Sequence, residues 1–205
     1  MGIARTERRE LVELFTAVGP DAPTLCGEWT TRDLAAHLVL RERRLDAAPG
    51  IALSAFAGHT QRVQDAFAAK PWAELVDLVR TGPPWYSPYG LPGLEDLVNG
   101  AEYFIHHEDV RRAQPDWEPR ELDQEPLWRT VRMSARLTYR KSPVGLALAR
   151  PDGQRAVIKK GPSPVTIVGE PAELLLHSFG REQARVELQG DPRAVAVVEN
   201  LDRSM

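Results

Sequence analysis

Apolar residues recur at helical spacing through about the first 110 residues of this 205-residue chain, and lose that spacing beyond a proline-rich break. This single change of period restricts the fold more than any other feature. Leu11, Leu14, Phe15 and Val18 follow i, i+3, i+4, i+7 spacing, so residues 4–18 read as an amphipathic helix that stops at Gly19-Pro20. Thr30 with Asp33 three residues on has the form of a capping box, with Trp29 before it as a staple. The spacing then predicts a second helix from Thr31 to about Asp46, with Leu34, His37, Leu38, Arg41 and Leu45 on one stripe. Phe56, His59, Val63 and Phe67 share a face of a third helix, and Pro71 at a first helical position opens a fourth through Leu78 and Val79. After a loop from Thr81 to Pro92, Leu94, Leu97, Val98, Ala101 and Ile105 define a long helix reaching Val110. An antiparallel four-helix bundle over residues 1–114 is the economical packing.

Gln114 to Pro126 holds three prolines among alternating charges, which assigns residues 115–126 to a linker. Beyond it, Trp128 to Tyr139 reads as a helix, and Val144 to Ala149 and Ala156 to Lys159 flank Pro151-Asp152-Gly153 as a hairpin. Pro164 to Val168 is a third strand, Pro171 starts a helix through His177, Arg185 to Leu188 is a fourth strand, and Asp191-Pro192 caps a last helix. Residues 127–205 are therefore expected to form a small α+β domain, making the whole mainly α with an α+β C-terminal part.

Charge and hydropathy each remove one partner class. With 26 basic against 29 acidic residues the chain lacks the footprint of a nucleic-acid binder, and no apolar run approaches the roughly 18 residues of a membrane span. Met1 to Glu10 carries charges before any apolar stretch, unlike a secretory signal, and a single Cys26 makes no internal disulfide; a cytoplasmic protein is expected. Arginine outnumbers lysine 22 to 4, a bias of GC-rich bacterial genomes.

Glu102 and His106, four apart on the long helix, lie one turn apart on the same face and could grip one metal ion. With five histidines and 29 acidic residues in 205, composition alone yields about 0.7 such pairs, so a plain salt bridge is the alternative. The pair sits on the edge of the stripe of Val98, Ala101 and Ile105, pointing into the bundle, whereas His107 points elsewhere. Inward-facing His37 is the available third ligand, unless it is an ordinary core histidine. Two histidines and one carboxylate suit zinc, or nickel or another first-row divalent ion, and leave coordination positions open, as catalytic sites do.

The run Cys26-Gly27-Glu28-Trp29-Thr30-Thr31-Arg32-Asp33-Leu34-Ala35-Ala36-His37 resembles the C-x-x-W-[ST]-x-x-D-L-x-x-H signature of the DinB-like bundle family, in its actinobacterial branch of mycothiol-dependent maleylpyruvate isomerase-like proteins. That resemblance implies a divalent metal on His37, Glu102 and His106, with Asp109 supporting the second motif from behind the ligands. Gly169-Glu170-Pro171-Ala172-Glu173-Leu174-Leu175-Leu176, Gly180-Arg181 and Gly190-Asp191-Pro192 look like the sterol-carrier-related α+β domain that follows the bundle in the family. It further implies mycothiol as cosubstrate and a small electrophile as substrate, hence an S-transferase or isomerase that activates a small thiol at the metal. The alternative is a protein that binds metal or a hydrophobic ligand without catalysis. Catalytic residues other than the ligands, and the oligomeric state, do not follow from the sequence. His59 lines the metal cavity or is a core histidine; Cys26 reads as a small packed residue rather than a nucleophile; Trp85, Tyr86 and Tyr89 cover a pocket mouth or anchor their loop; Arg181 is a candidate for an anionic substrate group.

Overall fold

The computed structural model describes residues 2–51, 53–90 and 95–203. Among these residues there are eight α-helices and one four-stranded sheet, so the expected helical bundle followed by a small α+β part is the fold. The chain divides into two compact units, Met1–Pro119 and Arg120–Met205. No helix among the described residues is long and apolar enough to cross a membrane.

The first unit contains α1 (Ile3–Val18), α2 (Thr31–Arg43), α3 (Ala57–Ala68), α4 (Trp72–Thr81) and α5 (Glu95–Arg112). α1 packs along α5 and α4, and α2 packs against α3 and α4. Their shared core is Leu11, Val12 and Phe15 of α1, Leu34, Leu38 and Val39 of α2, Leu75, Val76 and Val79 of α4, and Tyr103 and Val110 of α5. The start of α2 is strongly determined. Thr30 donates from its backbone N–H (2.9 Å) and its hydroxyl (2.8 Å) to Asp33 Oδ2, as the capping signal predicts, and the Thr31 hydroxyl donates to the Gly19 carbonyl at 2.6 Å. These bonds fix the rotation of α2 and therefore where His37 points.

Between α2 and α3 the helical periodicity misleads. α2 ends at Arg43, with Arg44 as its cap, rather than near Asp46, and 3-10 turns follow at Ala48–Ile51 and Ser54–Phe56. Leu45, expected on the buried stripe, is 44% exposed, and Phe56, expected on a buried face, is 52% exposed. Pro49-Gly50 explains the break, because proline supplies no backbone N–H to continue the ladder. Pro71 is the N-cap residue of α4 rather than its first helical residue, a shift of one position. Leu94 of the expected α5 stripe lies outside the described residues, and α5 is described from Glu95.

The second unit contains α6 (Gln124–Thr138), β1 (Leu146–Ala149), β2 (Arg155–Lys159), β3 (Val165–Val168), α7 (Pro171–Ser178), β4 (Glu187–Gln189) and α8 (Pro192–Glu199). α6 begins four residues before Trp128 because Asp123 caps it, accepting from the Glu125 N–H at 3.1 Å. The sheet order is β2-β1-β3-β4; β1 and β2 form the expected antiparallel hairpin, β1 runs parallel to β3, and β3 pairs antiparallel with β4. Gly153 closes the hairpin turn at φ +89°, where a Cβ would be strained. Leu127, Trp128 and Val131 of α6 are buried, as are Leu146 and Leu148 of β1, Val165 and Ile167 of β3, and Leu174 and Leu175 of α7.

One polar pair is sealed inside this unit. The Tyr139 hydroxyl lies 2.6 Å from His177 Nδ1. Burial, helped by Arg203, lowers the His177 pKa from 6.5 to about 4, so the ring paired with the hydroxyl is neutral. The unfolded chain takes up a proton on this ring below pH 6.5 that the folded ring refuses until about pH 4. Stability from this residue is therefore complete above pH 6.5 and falls as the pH drops toward 4, by about 3 kcal/mol in all. Urea denaturation at successive pH values should show this loss, and His177→Gln, which keeps a hydrogen-bonding side chain but no titration, should flatten that part of the curve.

Candidate metal centre

α2 and α5 bring His37, Glu102 and His106 together. One ligand atom from each lies within 4.8 Å of the other two. His37 Nε2 stands 3.1 Å from Glu102 Oε1, and His106 Nε2 stands 3.3 Å from the same oxygen. Donor atoms bound about 2.0–2.1 Å from one tetrahedral ion are about 3.3–3.4 Å apart, so these spacings match a shared ion with little movement. The two imidazole ring centroids are 5.4 Å apart with an interplanar angle of 75°, an edge-to-face arrangement rather than a stack. Both rings and the carboxylate are largely buried, with side-chain exposures of 9%, 17% and 11% for His37, Glu102 and His106.

The surroundings keep Glu102 and His37 in ligand form, while His106, whose proton is held more tightly, gives up its Nε2 proton on binding an ion. Burial alone would raise the Glu102 pKa, but Arg41, with Nε 3.5 Å from Oε1, together with the two histidines holds it well below the usual carboxylate range. Burial pushes His37 down, which favours the neutral ring that a metal requires. His106 is held from behind: its Nδ1 lies 3.0 Å from Asp109 Oδ2, and Asp109 is fully buried. Burial would lower the His106 pKa, but Asp109, Cys26 and Glu102 carry it well above its ordinary value. A carboxylate at Nδ1 fixes the tautomer that presents Nε2 as a lone pair. The Trp29 ring packs against His37 at 5.3 Å.

Cys26 is brought to this back face by the loop before α2. Leu25 N–H donates to the Asp109 carbonyl at 3.0 Å, tying the loop to α5, and the Cys26 thiol donates to Asp109 Oδ2 at 3.1 Å while Sγ lies 3.7 Å from His106 Nδ1. The sequence gives no sign of this contact, because 83 residues separate Cys26 from Asp109. Arg41, on the apolar stripe of α2 by its spacing, lies one turn beyond His37, with Nη1 donating to Asn99 Oδ1 at 2.6 Å.

Other sequence candidates fall elsewhere. His59 is on an exposed segment, its Nε2 2.9 Å from Asp46 Oδ2, and neither lines the cavity nor belongs to the core. His107 points away as expected and pairs with Glu7, Nδ1 to Oε2 at 2.7 Å, both buried. Trp85 and Tyr86 are exposed, while Tyr89 lies under the Arg41 guanidinium at 4.7 Å. Arg181 donates to the Phe179 carbonyl at 2.9 Å.

No family model matches the chain, and no curated protein matches it. Among solved structures, the crystal structure of the mycothiol-dependent maleylpyruvate isomerase is similar, with a TM-score of 0.61 over 91% of this chain and 90% of that one. The two share 15% sequence identity, so the likeness is one of fold.

Proposed function

We propose that the first unit binds one divalent metal ion through His37, Glu102 and His106 and uses it to activate a small thiol, as a thiol-dependent S-transferase or isomerase. The observation that carries this reading is the meeting of ligand atoms from three largely buried side chains, with Asp109 orienting one of the rings from behind. Zinc, nickel or another first-row ion suits two imidazoles and a carboxylate. The fold shared with a protein described as a mycothiol-dependent isomerase supports mycothiol as the thiol.

A divalent ion held here supplies a Lewis-acidic centre that favours thiolate over thiol at neutral pH. His37 and His106 would hold the ion as neutral rings and add no charge to it. Asp109 prevents the His106 ring from turning its Nδ1 forward. Glu102 contributes one negative charge, and Arg41 keeps that carboxylate ionised and in place. Three protein ligands leave room for thiol and electrophile to meet at the centre.

The test is consumption of mycothiol in the presence of an electrophilic test compound, with the protein metal-loaded, chelated, and chelated then reloaded. The expected outcome is acceleration by loaded and reloaded protein and loss on chelation. Equal rates for chelated and loaded protein would remove the enzymatic reading.

A further inference from the structure

The geometry points to a second cation pocket on the reverse side of the His106 ring, formed by Cys26 Sγ, Asp109 Oδ2 and His106 Nδ1 and suited to a soft, thiol-seeking ion. The three atoms form a triangle with sides of 3.1 Å (sulfur to oxygen), 3.0 Å (nitrogen to oxygen) and 3.7 Å (sulfur to nitrogen). For one tetrahedral ion with bonds of about 2.3 Å to sulfur and about 2.0–2.1 Å to nitrogen and oxygen, the sulfur edges are about 3.6 Å and the nitrogen-oxygen edge about 3.4 Å. The pocket thus needs an opening of about half an ångström or less. All three ligands come from anchored backbone. His106 and Asp109 are one turn apart on α5, and Cys26 is held by its own N–H donating to Thr24 Oγ1 at 3.1 Å and by the Leu25 bond to the Asp109 carbonyl.

The donor set also selects the ion. A thiolate with one imidazole and one carboxylate favours cadmium, zinc or monovalent copper over magnesium or calcium, which take oxygen ligands. Cys26 is half-buried rather than sealed, so an ion can reach it. Binding replaces the thiol proton and the His106 Nδ1 proton with metal-sulfur and metal-nitrogen bonds, and both protons are released to solvent. When the set at the opposite edge of the ring is filled as well, any proton on Nε2 also leaves to solvent and the ring bridges two ions as an imidazolate. The pocket does not require that the first site be catalytic, or filled.

The experiment titrates the full-length protein with cadmium ions alone, following the thiolate-to-metal absorption band in the ultraviolet and the cadmium NMR spectrum. Cys26 is the chain's single cysteine, so the band reports this position and no other. The wild type should bind two ions, one giving the band and a resonance typical of a mixed sulfur, nitrogen and oxygen set. His37→Ala should lose the other ion and keep the band; Cys26→Ser should lose the band and keep the other ion. Asp109→Asn should weaken the band-forming affinity about tenfold or more. Absence of the band at a cadmium excess, an affinity unchanged by Asp109→Asn, or a resonance typical of a lone thiolate among waters would each overturn the pocket. The resonance is read on the wild type, so it decides the matter even where a variant does not fold. Failure of the His37 site with retention of the band would count against the proposed function and not against this pocket.

Discussion

His37→Ala is expected to take the metal held at the histidine-carboxylate set from about one ion per chain to a small fraction of that. Two protein ligands hold a first-row ion poorly, and the remaining pair, Glu102 and His106, would return to a simple ion pair across their 3.3 Å separation. Glu102→Gln should have a comparable effect, because its Oε1 is the atom both rings approach. Elemental analysis after gentle, chelator-free purification checks this, made in a Cys26→Ser background so that the thiol does not hold ions of its own. His107→Gln is the contrast: it replaces a histidine paired with Glu7, outside the set, and should leave the metal content unchanged.

Arg8→Met should cost about 3–5 kcal/mol of stability, the scale for removing one partner of a buried ion pair. Arg8 joins α1 to the rest of the bundle through Glu42 at 2.6 Å and Glu95 at 3.1 Å, and lies over the Tyr103 ring at 4.6 Å. Glu42 is 2% exposed, and burial pushes its pKa up even with Arg8 against it. Without Arg8 this carboxyl would keep Asn99 Nδ2, at 3.2 Å, but no charge of opposite sign in contact from α1. Urea denaturation measures the loss. Arg8→Met with Glu42→Gln should regain a good part of it by removing the stranded charge, and a loss under about 1 kcal/mol in the single variant would contradict this account of the pair.

This network is also where the sequence is least legible. Arg8, Glu42, Glu95 and Asn99 look like ordinary polar positions, since hydrophobic periodicity assigns charged residues to solvent. Their partners lie 34 to 87 residues away along the chain, so only the packing of α1, α2 and α5 reveals that they neutralise one another. The same holds for Cys26 and Asp109. By contrast, the helices are legible because each carries its apolar stripe locally, and Glu102 and His106 share a face by spacing alone. The His37 partnership could be anticipated because the capping box fixes where α2 starts and hence which way its seventh residue faces. Periodicity failed at Leu45, Phe56 and His59, where Pro49-Gly50 replaces a regular helix with 3-10 turns and the register cannot be carried across.

The proposed metal centre stands or falls on the position of one ion. Crystals of the Cys26→Ser protein loaded with a first-row metal, measured above and below that metal's absorption edge, should show an anomalous peak about 2.0–2.2 Å from His37 Nε2, Glu102 Oε1 and His106 Nε2, with Asp109 still against His106 Nδ1. Loaded crystals with no peak among those three atoms, and with His37 Nε2 still 3.1 Å from Glu102 as a plain hydrogen bond, would contradict it.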